Sequence, residues 1–215
     1  MPAPLLLVPR GAEEAAVRRA APRATVVALR AGASAAELPD DLPGGLAIVL
    51  GLCGALHGVR TGARVIYRDA VDDSGRYSFD EELVRALHAV LPSAAIVHAC
   101  TIGHVVTRAT ERAALAAAYG AEVVDMETTH VARALARRGQ PNLAVRVASD
   151  DPSFDLPPIE AAFDAGGAIR PLQLARAFAA KPVAAVRFVR DVRRSLTALG
   201  AVAAVLAAAD FSNAG

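Results

Sequence analysis

The sequence is poor in aromatic residues and in cysteine. It has no tryptophan, and aromatic residues make up only 4% of its 215 positions. Its two cysteines, Cys53 and Cys100, lie in separate apolar segments without a CxxC spacing. Two isolated thiols in a chain of this length argue against a disulfide scaffold and favour a reduced, cytoplasmic protein.

The chain also lacks an excess of charge of one sign, since its formal net charge is +1. Dedicated nucleic-acid-binding domains usually carry a clear basic excess, so we expect no nucleic-acid partner. The histidines form neither an HExxH nor an HxH pattern, and we therefore expect no metal site. They are His57, His88, His98, His104 and His130.

No apolar run is long enough for a signal-peptide core or a membrane span. Leu5–Val8 is too short for the former, and Leu196–Ala209 has 14 residues where a span needs about 20. For Leu196–Ala209 we expect a helix packed on the core, with an oligomer contact or a membrane-surface helix as alternatives. The arginines just before it would favour an anionic membrane surface. They are Arg187, Arg190, Arg193 and Arg194.

Short apolar runs alternate with helical patterns along the whole chain. Most of the runs are continuous, as expected for strands buried on both faces. The predicted strands are Leu5–Val8, Thr25–Leu29, Leu46–Leu52, Ala63–Tyr67, Ala94–Ala99, Glu122–Asp125 and Leu143–Ala148. The predicted helices are Ala12–Ala21, Asp80–Leu91, Thr110–Tyr119, Thr128–Arg138, Leu172–Ala179 and a tail over 182–209.

This alternation predicts an α/β fold of three α/β/α layers around a mostly parallel mixed sheet. With 54% hydrophobic residues, the chain can bury a sizeable core. We expect one domain over residues 1–215, because no linker divides it. Asp151–Gly167, which holds three prolines and two glycines, is predicted to be a long loop over one face of that domain.

Open α/β sheets bind ligands at the carboxyl ends of their strands. Three of these ends carry acidic residues: Glu14 follows the first strand, Glu127 follows Asp125-Met126, and Asp150 follows Ser149. A glycine-rich turn, Gly51-Leu52-Cys53-Gly54, follows a fourth strand. Such turns let the backbone approach a flat ligand, although an ordinary tight turn explains the pattern equally well.

Each of the three carboxylates has a structural and a functional interpretation. Glu127 would either favour the dipole of the helix it opens or accept hydrogen bonds from two vicinal ribose hydroxyls. Asp150 would either cap a strand end or, with a pKa raised by burial, protonate a leaving group. Glu14 would be either a solvated residue on a helix face or a general base that activates water.

Two segments about twenty residues apart resemble the paired signature of the purine nucleoside phosphorylase/methylthioadenosine nucleosidase superfamily. They are Val124-Asp125-Met126-Glu127-Thr128-Thr129 and Ala144-Val145-Arg146-Val147-Ala148-Ser149-Asp150. The segment Gly51–Leu56 is similar to the glycine-rich base-binding turn of that superfamily. The resemblance extends along the chain and implies a nucleoside phosphorylase-like α/β fold.

Further segments look like the hopanoid-biosynthesis-associated phosphorylase branch: Val71–Tyr77, Asp150–Pro158 and Asp164–Pro171. This likeness implies an enzyme that removes adenine from adenosylhopane, a nucleoside that carries a polycyclic lipid. The alternatives are a methylthioadenosine or adenosylhomocysteine nucleosidase, with a small 5′ substituent, and a non-catalytic nucleoside-binding homologue.

The resemblance implies a role for each residue of its motifs. Asp150 would protonate the purine N7, and Glu14 would orient or deprotonate the attacking water. Glu127 would bind the ribose 2′- and 3′-hydroxyls, with Met126 packed under the sugar. The remaining residues would line the base pocket or support Asp150. The pocket residues are Cys53, Gly54, Val105 and Val106, and the supporting residues are Arg146 and Ser149.

Leu52 departs from the pattern of the phosphorolytic members, which have serine there to bind phosphate. A leucine side chain cannot donate a hydrogen bond, so water is favoured over phosphate as the nucleophile, while Arg10 could compensate for the lost donor. His104 stands where the superfamily often has aspartate, and we expect a structural role for it. The resemblance implies a homo-oligomer, often a dimer, with phosphate as the alternative co-substrate. We expect no cofactor, because the reaction transfers no electrons. We expect the cytoplasmic protein to make peripheral membrane contact through the tail if the substrate is a lipid.

Overall fold

The structure is a computed structural model and describes residues 3–162, 170–209 and 211. The end of the predicted loop Asp151–Gly167 and most of the motif Asp164–Pro171 lie outside these residues. The strands are β1 (Leu5–Pro9), β2 (Val26–Leu29), β3 (Ala47–Ala55), β4 (Arg64–Asp72), β5 (Gly75–Ser78), β6 (Ala95–Thr101), β7 (Val123–Asp125) and β8 (Asn142–Ala148). The helices are α1 (Ala12–Ala20), α2 (Glu81–Val90), α3 (Ala109–Tyr119), α4 (Thr128–Arg137), α5 (Pro171–Ala180) and α6 (Pro182–Ala208).

The described strands form one mixed sheet, and most of their pairings are parallel. β1 pairs in parallel with β2 and β3, β3 with β8, β4 with β6, and β6 with β7. The antiparallel pairs are β3 with β7, β4 with β5 and β4 with β8. The pairings close into a ring through β3, β8, β4, β6 and β7. The predicted α/β fold with a mostly parallel mixed sheet is confirmed.

β3 is the strand on which the ring depends. It is nine residues long; Ala47–Val49 pair with β1 on one side, and Ala47–Cys53 pair with β8 on the other. Its last two residues, Gly54 and Ala55, pair with β7 instead. The strand therefore extends past the ends of β1 and β8, and its final residues form a backbone platform at the edge of the sheet.

The hairpin of β4 and β5 was not predicted from the sequence. The predicted fourth strand is Ala63–Tyr67, whereas β4 continues to Asp72 through a register irregularity between Tyr67 and Asp69. The buried Asp69 is paired with His98 Nδ1 at 2.7 Å and with Arg76. Gly75 begins β5 with a φ of 111°, a backbone conformation that side chains disfavour.

The apolar part of α6 packs on the core, as the favoured interpretation of Leu196–Ala209 expected. Leu199, Val202 and Leu206 are fully buried, and the helix contacts α1, β3 and β8. Gly200 allows this close packing, because a Cβ at this position would lie 3.1 Å from Ala20 Cβ. Among the described residues, no helix combines the length and the apolar character needed to cross a membrane.

Candidate active site

The carboxyl ends of β1, β3 and β8 lie side by side because these strands are parallel neighbours. β7 meets the end of β3 from the opposite direction and brings Asp125 to the same place. Four segments that are distant in sequence therefore converge at one edge of the sheet. Two groups of buried polar residues lie there, one around Arg146 and one around Asp150.

The first group is built around the fully buried side chain of Arg146, which projects from β8. Its Nη1 donates to the carbonyl oxygen of Leu52 at 3.3 Å, and its Nη2 donates to Thr128 Oγ1 at 2.9 Å. The same Nη2 lies 3.5 Å from Asp125 Oδ2 and 3.7 Å from Glu127 Oε2. One guanidinium thus connects β3, β7 and the start of α4.

Glu13, in the first turn of α1, completes this group. Its Oε1 accepts a hydrogen bond from the backbone N–H of Leu52 at 2.6 Å. Gly51 makes the approach possible: a Cβ there would collide with Arg146 Nη1 and lie 2.7 Å from Glu13 Oε1. The glycine-rich turn of the sequence therefore gives room to two charged side chains.

Asp125 fixes the direction in which α4 begins. Its Oδ1 accepts hydrogen bonds from the backbone N–H groups of Glu127 and Thr128, at 3.2 and 3.1 Å, and from Thr101 Oγ1 at 2.9 Å. This arrangement satisfies free N–H groups at the helix start. The side chain of Glu127 is thereby turned toward the site, where its Oε1 accepts from Gly32 N–H at 3.2 Å.

The electrostatics of this group favour protonation of its glutamates. Burial raises the pKa of Glu13 to about 7; the N–H of Leu52 and Arg146 oppose that rise, while Glu127 and Asp125 add to it. Burial also raises the pKa of Glu127, against the effect of Arg146. Burial disfavours the charge on Arg146, but the surrounding acidic groups outweigh burial and raise its pKa. A carboxyl group with a pKa near 7 is suited to exchange protons at neutral pH.

The second group surrounds Asp150, which follows β8 and is 3% exposed. Its Oδ1 accepts a hydrogen bond from Ala55 N–H at 3.0 Å and one from Ser149 Oγ at 3.3 Å. Its Oδ2 lies 2.5 Å from Nη2 of Arg112, an arginine of α3 that is 1% exposed. Burial raises the pKa of Asp150, while Arg112, the Ala55 N–H and Ser149 oppose that rise.

The end of β3 connects the two groups. The N–H of Leu52 binds Glu13, and the N–H of Ala55, three residues later, binds Asp150. At about 3.3 Å per residue, these two N–H groups are about 10 Å apart along the strand. Two carboxyl groups with raised pKa values therefore lie at either end of a short stretch of fixed backbone.

The structure brings Glu13 to this site rather than the predicted Glu14. Glu14 Oε1 is paired with Arg18 Nε at 2.8 Å on the outer side of α1. The helical period explains the difference, because Glu13 shares a face with the fully buried Val17 four residues later. The positions of Val17 and Arg18 in the sequence could have identified which of the two glutamates points inward.

The other predicted site residues surround Asp150 and Glu127. The carbonyl of Cys53 accepts from both the N–H of Ser149, at 2.8 Å, and its Oγ, at 3.1 Å. A Cβ on Gly54 would lie 3.8 Å from Asp150 Oδ1. Met126 is half-buried beside Glu127.

Val105 and Val106, the other two predicted pocket residues, pack into two separate apolar clusters. His104 lies at the surface, where its Nε2 is paired with Glu111 at 2.7 Å. It therefore lies away from both buried groups. Arg112 was not singled out in the sequence, because a lone arginine in an alanine-rich helix carries no motif.

A small cavity of about 10 Å³ lies against Asp150. It is closed on the outside by Phe154 and Arg187, whose guanidinium carbon stacks 3.7 Å from the centre of the phenylalanine ring. A more open groove of about 390 Å³ continues from it along the start of α6. This inner cavity is too small to hold a purine ring.

A model of the phosphorylase superfamily matches residues 35–162, which is more than half of the chain. The protein therefore belongs to the phosphorylase superfamily, a superfamily of enzymes. The match includes the end of β3, Glu127, Arg146 and Asp150. No curated protein sequence matches this chain.

Solved structures of nucleosidases share the fold over nearly the whole chain. The 5′-methylthioadenosine/S-adenosylhomocysteine nucleosidase of Campylobacter jejuni has a TM-score of 0.69 at 12% identity, covering 95% of this chain and 98% of its own. The Arabidopsis thaliana 5′-methylthioadenosine nucleosidase has a TM-score of 0.67 at 14% identity, covering 99% of this chain and 100% of its own. The futalosine hydrolase of Helicobacter pylori has a TM-score of 0.63 at 12% identity, covering 93% of this chain and 97% of its own. At these identities the likeness establishes the fold.

Proposed function

We propose that the protein cleaves the N-glycosidic bond of an adenine nucleoside. The observation that carries this proposal is the pair of carboxyl groups, the half-buried Glu13 and the buried Asp150, held at either end of one backbone segment. An acid at the leaving group and a base at the attacking water are the two groups that glycoside cleavage requires. The resemblance of the motifs around Glu127 and Asp150, and the names of the structural neighbours, support adenine as the base.

In the proposed reaction, the carboxyl proton of Asp150 passes to N7 of the purine. The bond between C1′ and N9 breaks, and its electron pair leaves with adenine. Water attacks C1′, forms the new C–O bond and gives a proton to Glu13. Glu127, whose carboxylate is already held by Gly32 N–H, accepts hydrogen bonds from the ribose hydroxyls. Such contacts stabilise the developing charge on the sugar.

Glu13 takes the role that the sequence analysis gave to Glu14. Its pKa near 7 allows the ionised form to act as a base at neutral pH. Glu14 is engaged with Arg18 on the outer face of α1 and is not brought to the cluster.

We favour water over phosphate as the nucleophile. The N–H of Leu52 is a donor suited to an anion, but it is already bound to Glu13. The carboxylates of Glu13, Glu127 and Asp125 around Arg146 also make this end of the site unfavourable for a phosphate dianion. Arg10, the residue expected to compensate for Leu52, is exposed beyond β1.

We propose an adenosyl lipid, adenosylhopane in hopanoid biosynthesis, as the substrate. The groove that continues from the Asp150 cavity is bordered by Phe154, Pro182 and Val183, and apolar side chains beside it are exposed. Val183 is 79% exposed and Val186 73%. An apolar 5′ substituent would leave the site over this surface. A methylthioadenosine or adenosylhomocysteine nucleosidase remains the second candidate, since several structural neighbours carry that name.

Adenine release by purified protein tests the proposal. Adenosine, 5′-methylthioadenosine, S-adenosylhomocysteine and adenosylhopane are each incubated with and without phosphate, and the products are separated by chromatography. We expect adenine from at least one of them, together with the free sugar that keeps its 5′ substituent rather than the 1-phosphate of that sugar. Formation of the sugar phosphate would refute water as nucleophile, and cleavage of methylthioadenosine but not adenosylhopane would refute the lipid substrate.

Asp150→Asn tests the assignment of the acid. A general acid contributes about 10²- to 10⁴-fold, so we expect a loss of that size. Asp40→Asn is the control, because the Asp40 side chain is fully exposed at the surface, where it lies 3.8 Å from Arg138. Equal adenine release by Asp150→Asn and wild type would exclude the proposed mechanism.

The exposed end of α6 is also our candidate for peripheral membrane contact. Its exposed valines, Val183 and Val186, lie near Lys181 and Arg187. Apolar residues next to basic ones favour an anionic bilayer. We expect co-sedimentation with vesicles containing anionic lipid and less with neutral ones; the substitution of Val183 and Val186 by serine should abolish it. A homodimer, expected from the resemblance, is tested by sedimentation velocity.

A further inference from the structure

Arg112 is a buried charged residue that belongs to none of the sequence motifs. It lies in α3, is 1% exposed and contacts three residues in two other segments of the chain. Nη1 donates to the carbonyl oxygen of Asp151 at 3.0 Å, and Nη2 donates to that of Val106 at 3.1 Å. Nη2 also lies 2.5 Å from Asp150 Oδ2. A buried charge is costly unless it is paired, so its position is set by what it binds.

Both carboxyl oxygens of Asp150 are therefore in contact with donor groups of other residues. Ala55 N–H and Ser149 Oγ donate to Oδ1, and Arg112 is in contact with Oδ2. Ala55 lies on the platform at the end of β3, and Arg112 on a helix at the other side of the carboxyl group. This clamp fixes the plane of the carboxyl group relative to β3.

Other charged or titratable groups also face Asp150. Asp151 follows it in the same loop, and the Cys53 thiol faces it from β3. Arg187 and Asp191 of α6 line the same cavity and carry opposite charges. Among the described residues, Arg112 is the cation in direct contact with Asp150. Arg112 lowers the pKa of Asp150, and among these charged groups Asp151 raises it.

We propose that Arg112 is a positioning residue that sets both the orientation and the acid strength of Asp150. This inference rests on the proposed function, in which Asp150 gives its proton to the leaving base. Burial alone would raise the pKa of Asp150 and leave a weak acid that holds its proton too firmly. The guanidinium stabilises the ionised product of proton transfer, so Asp150 gives up its proton more readily when the base departs.

The pH dependence of kcat/KM tests this role. The ionisations of two groups, Glu13 and Asp150, are expected to limit the profile. Glu13→Gln removes the limb of Glu13, so the limb that persists in this variant belongs to Asp150. Arg112→Met and Arg112→Gln remove the charge, so the Asp150 limb should move to higher pH by about 1 to 3 units. Arg112→Lys keeps the charge, and its limb should stay within about half a unit of wild type.

Asp151→Asn provides a change of opposite sign. It removes a negative charge next to Asp150, whereas its amide oxygen can still accept from Ser153 N–H, as Asp151 Oδ1 does. The Asp150 limb should therefore move to lower pH, by less than about 1 unit. Arg133→Met is the control for loss of an arginine–aspartate pair, because the half-buried Arg133 binds Asp72 away from the site. It should lower the melting temperature without moving either limb.

The outcomes separate this inference from the proposed function. If wild-type protein releases adenine and the profiles of Arg112→Met and Arg112→Gln coincide with it, Arg112 does not set the acid strength of Asp150, while the proposed function stands. If neither neutral variant folds, the role of Arg112 is structural and the inference is overturned. If wild type cleaves no adenine nucleoside, the proposed function itself fails and the inference fails with it.

Discussion

Replacing Glu13 by glutamine should abolish most of the activity and, above neutral pH, make the protein more stable. The glutamine amide keeps an oxygen for Leu52 N–H, so the hydrogen bond at 2.6 Å has a replacement acceptor. The amide cannot take a proton from water. A general base contributes about 10²- to 10⁴-fold, and we expect kcat/KM to fall by that factor.

The pH dependence of the wild type follows from the same residue. Glu13 must be ionised to act as a base, and burial raises its pKa to about 7. Activity should therefore rise with pH through about 7 and fall about tenfold for each unit below it, a limb that Glu13→Gln lacks.

The stability change has a definite sign. A carboxyl group whose pKa is raised on folding favours the folded state while protonated, and this advantage is lost as pH rises through the folded pKa. With the pKa raised from 4.5 to about 7, the cost to the wild type above pH 7 is at most about 3 kcal/mol. Urea unfolding at pH 8 should show Glu13→Gln to be more stable than wild type, and the two should be similar near pH 4.

Glu14→Gln is the matched control. Glu14 is only 24% exposed, but its partner Arg18 is 51% exposed, and surface pairs of this kind contribute about 0.2–1 kcal/mol. We expect an activity within about twofold of wild type. If Glu14→Gln abolishes adenine release and Glu13→Gln does not, the placement of the base on the inner face of α1 is refuted.

Two further predictions concern packing. Gly51→Ala should lower kcat/KM at least about 10²-fold, since its Cβ would displace Arg146 and Glu13. Gly44→Ala, where a Cβ meets nothing within 4 Å, is the control. A Gly51→Ala variant as active as wild type would contradict the site geometry. Leu199→Ala should destabilise the protein by about 2–5 kcal/mol in urea unfolding, because its side chain is fully buried between α6 and the core. Val205→Ala, at a side chain that is 41% exposed, should cost less than about 1 kcal/mol, and equal effects of the two would argue against the packing of α6.

Periodicity identified most elements of the fold, because burial on both faces imposes continuous apolar runs on the strands. It failed at β4 and β5, where Asp69 is buried in a strand. The pairing of Asp69 with His98 and Arg76 makes that burial acceptable, but these partners are distant in sequence and the strand pattern gives no sign of them. The switch of β3 from β1 to β7 on the same side of the strand is likewise a property of the closed ring rather than of the segment itself.

The sequence by itself determined the fold class and the chemical groups of the site, because carboxylates after strands and a glycine-rich turn are local patterns. Only the tertiary structure decided which carboxylates meet. It turned Glu13 inward and Glu14 outward, since α1 packs through Val17, and it brought Arg112 from α3 against Asp150. Burial and the distances between charges set the pKa of each group, and these quantities exist only once strands distant in sequence lie side by side.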